Sequence, residues 1–363
     1  MRKLLAVALV ILAGIGSWIW WLGVDMQRAL NAPLNLSSEE RLMVEPGMTL
    51  TRLSRELEER GWIEHGYYLL LDARLNRRTE PIKAGEFAVR PGTTPLQLLD
   101  LLVSGRVVQH SLTLVEGRTV AEILAAVRAS PDLVHTLDSD DPSRVMSAID
   151  RAGYFAEGRF FPDTYRFPLG TTDVEFLRRA CLTQEQTLAE EWAQRMPGLP
   201  YASPYEALIM ASLVEKETAV AAERPMIAGV FVRRLQRGMK LQTDPTLIYA
   251  LGTGFDGDIR SRDLDAPSAY NTYLHPGLPP TPIAAAGRAS IRAALQPEAG
   301  DALYFVARGD GGHVFSENLQ DHNQAVEKYQ LNGGSAKKPA PAAAPAARST
   351  PAPRAKILKP STP

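Results

Sequence analysis

The stretch "ASLVEKETAVAAER", residues 211–224, places two glutamates, Glu215 and Glu217, directly after an apolar run. We interpret the surrounding sequence, "YEALIMASLVEKETAV", as a helix in which successive side chains are about 100° apart. Measured from Ile209, Glu217 then lies at about 80°, inside an apolar stripe that extends to Val220, and Glu215 lies at about 240°, on the opposite face. This spacing predicts that Glu217 points inward and that Glu215 is a surface or salt-bridged residue.

An inward-facing Glu217 has two interpretations. Loss of hydration disfavours the charged form of a carboxyl and raises its pKa, which suits a general acid that holds a proton near neutral pH. The structural alternative is a hydrogen bond to the backbone or a buried ion pair, with Lys216, Arg224 or an arginine of the segment 233–237 as the candidate partner. The residues alone leave both interpretations open.

Two downstream segments carry further polar groups. In "LQTDPTLIYALG", Asp244 stands directly before Pro245, which favours a role as the N-cap of the next helix over a role in catalysis. In the proline-rich segment "AYNTYLHPGLPPTP", Tyr270 and Tyr273 flank an amide and a hydroxyl. Aromatic faces and amide groups suit the C–H faces and N-acetyl groups of sugars, although loop tyrosines also serve as packing.

Composition and motifs exclude several classes of function. The 363-residue chain has a net charge of −1 and no long basic cluster before its tail, so a nucleic-acid partner is not expected. Cys181 is the only cysteine, which excludes an intramolecular disulfide and a cysteine-based zinc site. "GTGFDG" at 252–257 lacks the strand and helix context of a dinucleotide site. The sequence therefore predicts neither a metal nor a cofactor.

The two ends of the chain are distinct from its middle. Residues 4–24 form an apolar run that would reach about 31 Å as a helix, enough to span a bilayer, and Arg2 and Lys3 predict a cytoplasmic N-terminus. A cleaved signal peptide is the alternative, but its apolar region would be shorter and "LNA" at 30–32 is a weak cleavage site. Residues 333–363 hold seven prolines and six basic residues, which predicts a disordered tail.

The middle of the chain predicts an α+β fold in two parts, which gives four segments in all. The first part contains "TTPLQLLDLLVSG", where Thr94, Pro95 and Gly105 mark the start and end of a helix, and it resembles the LysM class of glycan-binding modules. We predict the following division: a cytoplasmic stub and transmembrane anchor at 1–25, a small LysM-like α+β module at 42–115, a mixed α+β catalytic domain at 116–332 and the disordered tail at 333–363.

Several long blocks, in order, resemble one family. From about Leu42 to about Tyr329 the chain is similar to the endolytic murein transglycosylase family, also called YceG-like. The blocks that carry the resemblance are "EGRFFPDTYRF", "ASLVEKETAVAAER", "FVRRLQRGMKLQTDPTLIYALG", "AYNTYLHPGLPP" and "LYFVARGDGGHVFSENLQDHN". The resemblance implies a single-pass inner-membrane protein facing the periplasm, which cleaves nascent peptidoglycan strands internally, leaves 1,6-anhydromuramic ends and works beside peptidoglycan synthases.

The resemblance also assigns roles to residues. The catalytic acid of the family is the second glutamate of "EKET", which corresponds to Glu217. We take Gln242, Tyr270 and Asn271 as candidates for orienting the sugars. Two alternatives remain: a hydrolytic muramidase in which Asp244 is the second carboxylate and activates water, and a non-catalytic scaffold that holds peptidoglycan and recruits synthases.

Overall fold

The computed structural model describes residues 2–77 and 80–331, so the predicted disordered tail lies outside the described residues. The fold is mixed α+β, as predicted. The described residues divide into two compact units: residues 2–77, 80–190 and 281–287 form the first, and residues 191–280 and 288–331 form the second. The predicted boundary near Glu116 is inside the first unit and stays a prediction.

The first helix, α1 (Arg2–Asn31), is long and apolar enough to cross a membrane over Leu5–Asn31. The side chains of Trp18, Trp20 and Trp21 on this helix are exposed. Its last turns are different, because Met26 and Leu30 are buried in the hydrophobic core of the first unit. The helix is therefore both a candidate membrane span and a part of that core.

After α1, the first unit continues with a small antiparallel sheet and three helices. Strands β1 (Glu40–Val44) and β2 (Gly85–Val89) pair so that Leu42 lies opposite Phe87, and both side chains are fully buried. The helices are α2 (Leu50–Glu59), α3 (Tyr67–Leu75) and α4 (Pro95–Ser104). As predicted, α4 is capped by Thr94 and ends at Gly105, whose φ of 70° is left-handed. The resemblance of this part to LysM modules stays a prediction.

The rest of the first unit has its own core. Strands β3 (Gln109–Thr113) and β4 (Thr164–Pro168) pair antiparallel. The helices are α5 (Val120–Arg128), α6 (Pro142–Ala148) and α7 (Asp173–Ala193), the last of which runs on into the second unit. The core draws its residues from Leu114 to Cys181, together with Ala285.

The second unit is built around a buried helix, α8 (Pro204–Glu217). Every residue from Ala207 to Val214 is buried, so α8 is covered on all sides rather than along one stripe. It also ends earlier than predicted, because Thr218 is extended (φ −141°, ψ 137°), and Val220 lies outside the helix and is 36% exposed. Glu217 is thus the last residue of α8.

Most other elements of the second unit follow α8 in the chain. A short 3₁₀ turn (Ala221–Glu223) follows it. The main elements are the α-helices α9 (Arg224–Gln236), α10 (Asp244–Leu251), α11 (Arg288–Leu295) and α12 (Leu319–Val326), and the strands β5 (Tyr304–Ala307) and β6 (His313–Ser316). The predicted hairpin is confirmed, with Phe305 opposite Phe315. The predicted C-terminal helix is α12.

Candidate active site

A cleft of about 480 Å³ opens in the second unit beside the end of α8. Its wall comes from α8, α9, the segment before α10, β5 and α12, and it contains the side chains of Glu217 and Asp244. Three larger cavities, of about 780, 770 and 600 Å³, lie in the first unit. The acidic residues that line them, Glu80 and Asp100, are exposed. The cleft therefore holds the carboxyl whose environment is most suited to acid–base chemistry.

Glu217 lines the cleft and is only partly exposed. Its Oε2 accepts a hydrogen bond of 2.6 Å from the hydroxyl of Thr243. Burial raises the pKa of Glu217 above the ordinary value for glutamate, and the negative charge of Asp244 acts in the same direction. The hydrogen bond from Thr243 opposes the shift without reversing it. Glu217 therefore has the protonated form of a general acid available at a higher pH than an exposed glutamate.

Two arginines that could form an ion pair with Glu217, Arg224 and Arg234, bind other groups, which weakens the ion-pair interpretation. The guanidinium of Arg224 lies 3.5 Å from Glu215, so Glu215 is salt-bridged, one of its two predicted states. Arg234 lies in the cleft, but its Nε donates to the carbonyl of Leu303 (2.7 Å) and its Nη1 to that of Leu241 (2.8 Å). Arg234 therefore ties the wall of the cleft together, and the attraction of its charge, which acts to lower the pKa of Glu217, does not overcome the effect of burial.

Gln242 is brought into the cleft beside Glu217. Its φ of 52° is left-handed, which is uncommon for a residue other than glycine. The conformation is held from two sides: the backbone N–H of Gln242 donates to the carbonyl of Thr272, and Oε1 lies 3.5 Å from Nη1 of Arg234. The side chain that was predicted to orient sugars thus lines the same space as the candidate acid.

Asp244 does not cap a helix, so that prediction was wrong. Thr243 occupies the N-cap position of α10, and Asp244 is the first residue inside the helix. Its Oδ1 instead accepts a hydrogen bond of 2.5 Å from the hydroxyl of Tyr273, which also lines the cleft. The helix begins one residue earlier than we assumed because Thr243, which is extended (φ −109°, ψ 124°), takes the N-cap position, and the carboxylate of Asp244 is left to line the cleft and bond to Tyr273.

Tyr270 and Asn271 are not among the residues that line the cleft. The ring of Tyr270 packs 4.9 Å from that of Tyr249. Asn271 is fully buried, and its amide donates to the carbonyls of Leu264 (2.9 Å) and Ala266 (3.0 Å) while its Oδ1 accepts from the N–H of Tyr273. The structure thus gives Asn271 a part in shaping the loop that presents Tyr273.

Some residues of the site were not selected from the sequence. Thr243 and Tyr273 could have been, because Thr243 is next to Gln242 in the chain and Tyr273 lies in the loop that was selected for sugar contact. Glu223 and His313 are 90 residues apart, yet Nδ1 of His313 lies 2.7 Å from Oε2 of Glu223. No local pattern connects these two residues.

The fold and the cleft define a class: an α+β protein with an N-terminal apolar helix and a candidate acid–base site. The model of the YceG-like family matches residues 42–328. The chain belongs to the YceG-like family, which confirms the family resemblance of the sequence blocks.

Two named proteins and one solved structure are similar to this chain. The chain is 34% identical over 264 residues to an endolytic murein transglycosylase of Bacillus subtilis (strain 168), covering 68% of this chain and 73% of that one. It is 27% identical over 334 residues to an endolytic murein transglycosylase of Streptococcus pneumoniae serotype 2, covering 82% of this chain but only 60% of that one. A crystal structure of a YceG-like protein from Listeria monocytogenes matches with a TM-score of 0.52 and 29% identity, over 80% of this chain and 99% of that one.

Proposed function

We propose that this protein is an endolytic murein transglycosylase with Glu217 as its catalytic acid and base. The names of the Bacillus and Streptococcus relatives support the activity. The observation that carries the assignment of the residue is the environment of Glu217: a partly exposed carboxyl in a cleft, with a pKa raised by burial. A scaffold that only held glycan would gain nothing from such a group, because burying an ionisable carboxyl costs stability.

One carboxyl suffices for the proposed reaction. Protonated Glu217 donates its proton to the glycosidic oxygen as the bond from that oxygen to C1 of the muramic acid breaks. The C6 hydroxyl of the same sugar then attacks C1 and gives its proton to the Glu217 carboxylate. The product is a 1,6-anhydro end, water is not consumed, and Glu217 returns to its protonated form. Attack within one sugar gains from proximity.

The neighbours of Glu217 have supporting roles in this proposal. The hydroxyl of Thr243 donates to the carboxylate that forms after the first proton transfer and stabilises it until the second. Gln242 contacts the sugars from the cleft wall. Tyr270 and Asn271 act through the loop that carries Tyr273.

A hydrolytic muramidase is the second candidate, and a specific observation favours it. Asp244 lies in the same cleft as Glu217, and two carboxyl groups flanking one bond are what a hydrolytic glycosidase uses. In that mechanism Asp244 would activate a water molecule, and the products would carry reducing ends. The two candidates therefore differ in their products rather than in their acid.

We also propose that α1 remains attached as a membrane anchor. Cleavage after Ala32 would remove Met26 and Leu30 from the core of the first unit, where they are 6% and 2% exposed. Arg2 and Lys3 then favour a cytoplasmic N-terminus with both units in the periplasm. The LysM-like part would hold glycan, and peptidoglycan synthases would be the partners that supply nascent strands.

The size of the products tests the endolytic activity. Long uncrosslinked glycan strands are incubated with the full-length protein in detergent and the fragments are followed over time. Internal cleavage gives fragments of intermediate length at early times, and Glu217→Gln lowers the rate by about 10²- to 10⁴-fold. Release of only one- or two-disaccharide fragments from the start would contradict an endolytic enzyme.

A further inference from the structure

A second buried glutamate lies close to Glu217 in the chain. Glu223 is 7% exposed, and its carboxylate accepts three hydrogen bonds. The hydroxyl of Thr218 donates to Oε2 (3.3 Å), the backbone N–H of His313 donates to Oε1 (2.9 Å), and the ring Nδ1 of His313 lies 2.7 Å from Oε2. One carboxylate thus joins two parts of the second unit that are far apart in sequence.

The two parts that Glu223 joins both belong to the surroundings of the cleft. Thr218 directly follows Glu217 and is the residue at which α8 ends. His313 begins β6 and pairs with Ala307 of β5, which lines the cleft. The approach is close: a Cβ on Gly312 would lie 3.0 Å from Oε1 of Glu223. The carboxylate of Glu223 therefore holds both the end of α8 and the β5–β6 hairpin, which forms part of the wall of the cleft.

Glu217 and Glu223 have opposite electrostatic environments. Burial raises the pKa of Glu217. Burial acts in the same direction on Glu223, but the hydrogen bonds from His313 and Thr218 outweigh it, so the pKa of Glu223 is lowered. Two carboxyls whose environments separate their pKa values have different tasks. Glu223 stays ionised where Glu217 can be protonated, so Glu223 is suited to holding structure rather than to transferring a proton.

We propose that Glu223 is a positioning residue, which holds Thr218 and with it the end of α8 against the β5–β6 hairpin, so that Glu217 faces the substrate bond. The proposal deepens the proposed function and rests on it. Without the hydrogen bond from Thr218 to Glu223, the backbone that follows Glu217 is no longer held in one position. A displacement of about 1 Å at a reacting group is enough to cost about 100-fold in rate.

Paired variants test this role in the full-length protein. Thr218→Val removes the hydroxyl but keeps the shape of the side chain, and Thr218→Ser keeps the hydroxyl. We expect Thr218→Val and Glu223→Gln to lower kcat by about 10- to 100-fold with KM within about twofold, and Thr218→Ser to restore kcat to within about threefold of the wild type.

Glu191→Gln is the control for a purely structural effect. Glu191 is also buried (2% exposed) and bonded by Arg288 and Arg292, but it does not line the cleft. We expect it to lose thermal stability and to keep kcat.

The outcomes separate this proposal from the proposed function. If the wild type releases anhydro-ended fragments while Thr218→Val and Glu223→Gln keep kcat within about twofold, the positioning role is wrong and the enzyme assignment stands. The same conclusion follows if Thr218→Ser loses as much kcat as Thr218→Val. If the folded wild type releases no fragments, the proposed function itself fails.

Discussion

The hydroxyl of Thr243 and the carboxylate of Glu217 are joined by a hydrogen bond of 2.6 Å. Glu217 ends α8 and Thr243 occupies the N-cap position of α10, so the bond connects two helix ends at the cleft. Its donor stabilises the ionised form of Glu217, whereas burial stabilises the protonated form. In the proposed mechanism, the balance between these two effects sets the pH range in which Glu217 first gives and then accepts a proton.

Removal of the Thr243 hydroxyl should move the pH profile upward. Thr243→Val deletes the bond that lowers the pKa of Glu217, so Glu217 stays protonated to a higher pH. We expect the pH of half-maximal activity on the alkaline side to rise and the maximal rate to fall, because the carboxylate formed during the reaction loses its donor. Rates measured from pH 5 to pH 9 check this, with Thr243→Ser as the control that keeps the hydroxyl. An unchanged alkaline limb in Thr243→Val would contradict the account.

Removing the negative charge of Asp244 should shift the alkaline side of the pH–rate profile to lower pH. The negative charge of Asp244 raises the pKa of Glu217, so Asp244→Asn should lower it and shorten the active range on the alkaline side. If Glu217 is the only catalytic carboxyl, the variant still forms anhydro ends, with a rate within about tenfold of the wild type at pH 5 to 6, a smaller loss than removal of a general acid or base gives. Loss of all products in Asp244→Asn, with the protein folded, would favour the hydrolytic mechanism.

Glu217 should reduce the stability of the folded protein at neutral pH. Since its pKa is raised on folding, the folded state binds the proton more tightly than the unfolded state. Stability is therefore lost as pH rises from the unfolded value of about 4.3 through the raised folded value. We expect Glu217→Gln to melt at a higher temperature than the wild type, with a difference that grows from pH 4.5 to pH 8.

Glu191→Gln is the control for the sign of this effect. Hydrogen bonds from Arg292 and Arg288 lower the pKa of Glu191 against the opposing effect of burial, so this variant should lose stability above about pH 4.3. A difference between Glu217→Gln and the wild type that does not change with pH would contradict a raised pKa for Glu217.

The end of α1 should contribute to the stability of the first unit. Leu30 of α1 is 2% exposed, so Leu30→Ala should cost about 2–5 kcal/mol of unfolding free energy. Leu9→Ala is the matched control, because Leu9 lies in the same helix and is 63% exposed. Thermal unfolding of both variants in detergent compares them. Equal melting temperatures would show that the end of α1 is not part of the core.

Local signals predicted the helix ends that depend on capping alone. Thr94 and Gly105 bound α4 as expected, because a threonine oxygen and a glycine with positive φ satisfy backbone groups within the same turn. The same reasoning misplaced Asp244 by one residue, since Thr243 and Asp244 are both possible caps before Pro245. The helical spacing that selected Glu217 ran on to Val220 and missed the end of α8 at Glu217.

Long-range contacts could not be predicted from the sequence. The carboxylate of Glu223 meets His313 across 90 residues, and Tyr273 reaches Asp244 across 29, in each case through the packing of separate elements. Periodicity also failed to show that α8 is buried on all sides, because an evenly covered helix has no distinct apolar stripe.

The most direct test of the central claim is the source of the oxygen at the new chain end. Glycan strands are cleaved by the full-length protein in water enriched in oxygen-18, and the fragments are weighed by mass spectrometry. We predict anhydro ends, about one water lighter than hydrolysis products, with no heavy oxygen incorporated, and release of fragments about 10²- to 10⁴-fold slower with Glu217→Gln. Reducing ends that each carry one heavy oxygen atom would contradict the transglycosylase mechanism and point to water activated at Asp244.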